Sequence, residues 1–161
     1  MRWIFVDRFL ELEKGRYAKA LKNVSMGEDH IHDRFPSFPL MPNSLIIEAL
    51  AQTGGVLAGY SNDFRNMVIL AKIEKASFHR MAIPGDQLLL ETEMLEDREE
   101  GCRIAGRVSV NGDTLAEASI LFANLESSDI DPEAPDNFVF TKHFLSMLGV
   151  DKVLAGVGEP E

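Results

Sequence analysis

Leu45–Tyr60 reads LIIEALAQTGGVLAGY, and this stretch decides the fold. It is apolar around nearly the whole circumference of a helix, and a helix without a polar face is a buried helix. Pro42 opens it, because proline is tolerated in a first turn, and Asn43 or Ser44 is placed to cap it. A helix this apolar must be covered on most sides, so a sheet should curl around it.

The flanking sequence supplies that sheet. Before the helix, Phe9 to Val24 alternates with period two about a bend at Lys14-Gly15, which predicts a hairpin. After it come candidate strands at Met67–Phe78, Gln87–Leu95, Arg103–Val110 and Thr114–Leu125. Pro84-Gly85-Asp86 breaks the first pair, and Glu96 to Gly101 reads as a charged turn. Asn111-Gly112 is a strong two-residue hairpin signal. The expected class is α+β, an antiparallel sheet wrapped around one long central helix. Ser25 to Met41, with Pro36 and Pro39, reads as irregular.

Residues 1–125 are expected to form this domain, and 126–161 an acidic linker with a short C-terminal helix. Glu126 to Asn137 carries Pro132 and Pro135 and reads as linker. Phe138 to Val150 predicts a helix capped by Thr141, with Phe144, Leu145 and Leu148 on one face. Fraying is expected beyond Asp151.

The net charge of −10 argues against nucleic acid or an anionic membrane as partner. No apolar run reaches the roughly 18 residues needed to span a bilayer, and the apolar run in Met1–Asp7 is too short for a signal peptide. The single cysteine, Cys102, fits a reducing compartment and reads as an inert strand residue. The expected location is cytoplasmic.

On the buried helix, Glu48 and Gln52 are four residues apart and share a face. A carboxylate there is costly to bury unless it is paired or protonated. Two readings follow: a structural Glu–Gln pair at a solvated helix edge, or a working acid–base group. His30-x-His32, between Asp29 and Asp33, has the composition of a metal site, but two near-adjacent histidines without a placed third ligand are weak evidence. The expectation there is a solvated loop, with no metal and no cofactor. His79 and His143 read as surface residues.

Four runs taken together resemble the bacterial (3R)-hydroxyacyl-acyl-carrier-protein dehydratases, a hotdog-fold family. They are VDRFLELEKGRYAKALKNV (6–24), RFPSFPLMPNSLIIEALAQTGG (34–55), AKIEKASFHRMAIPGDQL (71–88) and NGDTLAEASILFA (111–123). The family's second run is His-Phe-Pro-Gly-x-Pro-x-Met-Pro-Gly followed by a Glu-Ala-x-Ala-Gln helix. The resemblance implies β-hydroxyacyl thioesters, on acyl carrier protein or CoA, as substrate, and a homodimer or higher homo-oligomer with the site between subunits. It places Glu48 at the family's acid. Phe35, Pro36, Ser37, Met41, Pro42, Asn43 and Gln52 fall in the substrate-binding stretch. Lys72, Lys75, His79 and Arg80 are candidates for a basic patch that meets the carrier, or equally for solvated charges.

The pattern breaks at three positions. The family's catalytic histidine, which removes the C2 proton, is Arg34 here, and the two glycines are Ser37 and Asn43. A guanidinium stays protonated at any working pH and cannot be that base. It can pair with Glu48 or donate to a thioester carbonyl. His32 is a substitute base: in an extended segment it lies about 6–7 Å from Arg34 at Cα, on the same side as His30. Alternatively Glu48 is itself the base, in a hydratase or thioesterase-like reaction. A third possibility is a silent site that binds acyl chains.

Overall fold

A computed structural model describes residues 4–33, 37–125 and 141–156. The expected linker, 126–137, and residues 138–140 lie outside the described residues, as do Arg34, Phe35 and Pro36. The strands are β1 (Arg8–Glu13), β2 (Tyr17–Asn23), β3 (Met67–Phe78), β4 (Gln87–Arg98), β5 (Gly101–Val110) and β6 (Asp113–Leu125). They form one antiparallel sheet in the order β1-β2-β4-β5-β6-β3. The helices are α1 (Asp29–Asp33), α2 (Asn43–Ser61), α3 (Lys142–Met147) and α4 (Val150–Gly156).

The apolar helix sits where its sequence requires. α2 packs against β2, β3, β4, β5 and β6, and Ile46, Leu50, Val56 and Leu57 are fully buried. β5 shows the period of a half-buried strand, with Cys102, Ile104, Gly106 and Val108 turned inward. Gly106 is there because α2 comes so close: a Cβ at this position would stand 3.1 Å from the Leu50 side chain. Burial pushes the Cys102 thiol up to about 12, and Asp97 adds to the effect, so the thiol is inert as expected. This is a hotdog fold.

Several local expectations need correction. α2 has no side-chain cap from Asn43 or Ser44; the Pro42 carbonyl accepts from the Leu45 and Ile46 N–H groups instead. β4 runs past Leu95 to Arg98, because Glu96 pairs with Arg103 across the ladder (2.8 Å) rather than turning out to solvent. The C-terminal segment is two helices. Thr141 caps the first, accepting from Phe144 N–H at 3.2 Å. Gly149, at φ 72°, then starts a second that continues to Gly156, beyond the expected fraying point. Ser25 to Met41 is not wholly irregular, since it contains α1.

At Asn111-Gly112 the backbone has φ 53° and 91°, the pair of positive values a tight hairpin of this type needs. No helix among the described residues is long and apolar enough to cross a membrane.

Candidate functional site

Glu48 lies one turn into α2 and is half-buried, and Gln52 follows one turn later. The Gln52 amide is held at both ends. Its Oε1 accepts from the Phe5 backbone N–H at 2.8 Å, and its Nε2 donates to Glu48 Oε1 at 2.9 Å. Because a backbone N–H can only donate, it fixes which end of the amide faces Glu48. Glu48 Oε1 is therefore committed as an acceptor, while Oε2 has no hydrogen bond among the described residues. Sequence spacing identified the Glu48–Gln52 pair. The Phe5 contribution was not legible, because a backbone donor leaves no side-chain signature.

The segment that leads into α2 is fastened near both ends. At its start, Lys22, with a side chain only 4% exposed, pairs with Glu28 and stands 3.8 Å from Asp7. Glu28 Oε2 also accepts from Ser25 N–H (3.2 Å), while Glu28 N–H donates to the Ser25 carbonyl (3.2 Å). Ile31 of α1 is fully buried.

At the far end Met41 is fully buried and its N–H donates to the Ala82 carbonyl at 2.9 Å. The turn carrying Ala82 is itself tied down, since Asp86 accepts from Arg80 twice (3.0 and 3.2 Å) and from Ile83 N–H (3.0 Å). Burial alone would raise the Asp86 carboxyl, but these bonds hold it below its usual value.

Of the expected substrate-binding residues, Met41 is core, Pro42 is half-buried, and Ser37 and Asn43 are exposed. Arg34, Phe35 and Pro36 lie outside the described residues. The backbone of His32 is on α1, not in an extended segment as expected. Positions two apart on a helix do not share a face, so the extended spacing that aligned His30 with His32 does not apply.

His30 is not the solvated residue that the sequence suggested. Its side chain is 14% exposed, and its ring meets Phe5 edge-on at 5.6 Å. Nε2 stands 3.6 Å from Glu28 Oε2. Burial lowers its pKa from the ordinary value, outweighing the opposing pull of Glu28. The folded chain therefore prefers neutral His30, and its contribution to stability is present above the unfolded value of about 6.5 and lost as pH falls below it. We expect urea midpoints to fall between pH 7.5 and 5.5 in wild type, and to fall less in His30→Asn. Equal declines in both would remove His30 from the acid response.

Among the described residues no three His, Cys, Asp or Glu side chains cluster as metal ligands would. An open groove lines the outer face of the sheet at Arg16, Tyr17, Lys19, Lys75, Arg107 and Glu117, but it includes neither Glu48 nor Gln52. Of the expected basic patch, Arg80 is committed to Asp86 and His79 stands 3.4 Å from Glu117. His79 and His143 are exposed, as expected.

Comparison with known proteins places these features in context. A family model described as FabA-like domain matches residues 2–119. A 3-hydroxyacyl-[acyl-carrier-protein] dehydratase FabZ of Magnetococcus marinus is 38% identical over 122 residues, covering 74% of this chain and 80% of the relative. The FabZ of Lawsonia intracellularis is 40% identical over 125 residues, covering 75% and 82%. Among solved structures, an acetyl-CoA-bound protein of Streptococcus mutans superposes with a TM-score of 0.64 at 13% identity, covering 78% of this chain and 94% of that one. At that identity the likeness concerns the fold alone.

Proposed function

Because the chain belongs to the FabA-like domain family, we propose that it is a 3-hydroxyacyl-thioester dehydratase of fatty acid metabolism, working through Glu48 at a site where Arg34 has replaced the usual base. The observation that carries this reading is the Glu48 carboxylate, set on the buried helix with one oxygen held by Gln52 and the other left for chemistry. The relatives named above act on acyl-carrier-protein substrates by name. Acyl carrier protein or CoA is accordingly the proposed carrier, the cytoplasm the proposed location, and no cofactor is required.

Dehydration breaks the C2–H bond, and its electron pair becomes the second bond between C2 and C3. The C3 hydroxyl leaves as water, taking a proton from Glu48 Oε2. Arg34 keeps its proton and serves as donor to the thioester carbonyl, where negative charge develops. The C2 proton is assigned to His32, the base the sequence offers close to Arg34 in the chain. By resemblance Phe35, Pro36, Ser37, Pro42 and Asn43 fall in the substrate-binding stretch, which the buried Met41 anchors, with Gln52 behind Glu48.

The site is completed by a second copy. β3 is a twelve-residue edge strand exposing Ile69, Leu70, Ile73 and Phe78, and Met26, Phe38, Met81 and Ile83 are also exposed. So much apolar surface favours a partner over water. A homodimer joined along β3 would cover the strand.

The test is hydration of crotonoyl-CoA, the reverse reaction, followed by loss of enoyl absorbance. Wild type is expected to turn over, His32→Ala to lose that activity, and Arg34→His to gain about tenfold or more. An inert wild type with an active Arg34→His would overturn dehydratase function and leave an acyl-binding protein on an intact scaffold. Silence in both, with hydrolysis of acyl-CoA, would favour the second reading. There Glu48 activates water as a thioesterase base, a role favoured by a cation at position 34.

A further inference from the structure

A sheet of six strands in open order has two edges, and this chain treats them differently. β3 presents its residues to solvent along most of its length. β1 does not stand alone. Residues 8–13 form one wall of a groove whose other wall is Ser146, Met147, Gly149, Lys152, Val153 and Gly156. The Phe9 N–H donates to the Leu148 carbonyl at 2.9 Å. On either side of the Gly149 turn, Leu148 and Val150 are buried at 2% and 1% exposure. Phe144, Leu145, Val153 and Leu154 pack against the same core. The helix pair lies outside the stretch that the family model matches, residues 2–119.

We propose that α3 and α4 are an edge guard, standing across the groove beside β1 and taking its Phe9 N–H, so that no further strand can add there and β3 is left as the edge through which copies pair. The physical need is plain. A sheet open at both edges can join β3 of one copy to β1 of the next, a head-to-tail contact that grows into rings or open filaments rather than stopping at two copies. With β1 covered, only the self-complementary β3–β3 contact remains, and that contact stops at two sheets. The guard itself rests on contacts within this chain. The statement that assembly closes at β3 rests on the dimer proposed above.

The experiment undocks the guard in the full chain with Leu148→Asp/Val150→Asp, checks folding by circular dichroism, and follows mass by sedimentation velocity over a hundredfold concentration range. Wild type is expected to keep one closed mass. The undocked variant is expected to form species that grow with concentration, past twice that mass. Adding Leu10→Lys, a charge on the β1 edge, should return it to the wild-type mass. A folded undocked variant with wild-type mass throughout overturns the guard. So does growth that Leu10→Lys fails to reverse, since exposed apolar surface would then be the cause. If the double variant does not fold, Leu148→Ser carries the same comparison, and unfolding of both makes the segment core rather than guard. A monomeric wild type would sink the dimer along β3 while leaving the β1 comparison intact.

Discussion

On the dehydratase mechanism proposed above, Glu48→Gln is expected to lower crotonoyl-CoA hydration by about 10²–10⁴-fold while leaving the protein folded, the range for loss of one general acid–base group. The substitution is close to an isostere. A glutamine at position 48 can still offer a carbonyl oxygen to Gln52 Nε2, so the 2.9 Å contact and the Phe5 clamp behind it survive. What the substitution removes is a carboxyl oxygen able to exchange a proton. The loss should therefore appear in kcat, with KM moving little, because an interaction made only in the transition state has been removed. Activity within threefold of wild type would take Glu48 out of the chemistry. A large rise in KM at constant kcat would recast it as a binding residue.

The parts of the molecule that could be read from sequence are those where one residue type has one consequence. LIIEALAQTGGVLAGY can only be a covered helix, and Asn111-Gly112 can adopt two positive φ values at low cost. The Glu48–Gln52 pair follows from four-residue spacing on that helix.

What escaped depends on partners distant in sequence. Glu96, Asp97 and Arg98 look like a turn until the register sets Glu96 opposite Arg103 and places Asp97 against Ser61. α1 is five residues long, too short for any periodicity to show, and its helical turn undoes the extended spacing that had aligned His30 with His32. His30 looks solvated beside two aspartates, yet the N-terminal Phe5 covers it. The same Phe5 reaches Gln52 through its backbone, so one N-terminal residue touches both His30 of α1 and Gln52 of α2.

The buried ion pair at the start of that loop should show an asymmetric response to mutation. Glu28→Gln leaves the Lys22 ammonium, 4% exposed, with only Asp7 at 3.8 Å to compensate it among the described carboxylates. Stranding one member of a fully buried pair costs about 3–5 kcal/mol, and Glu28, 26% exposed, places this pair nearer about 2–3. Lys22→Met should cost less, because the Glu28 carboxylate still reaches water and keeps its Ser25 N–H donor at 3.2 Å, while methionine refills the slot left by the lysine stem. Lys22→Met/Glu28→Gln should then be more stable than Glu28→Gln alone, since the second change removes the stranded charge. Urea unfolding of the three variants measures all of this. Two single variants of equal cost, with a double variant equal to their sum, would mean that the pair is solvated and uncoupled. Ser25, Glu28 and the buried Ile31 of α1 tie down the stretch that follows β2, so a locally destabilised variant should loosen that stretch while the sheet and α2 persist.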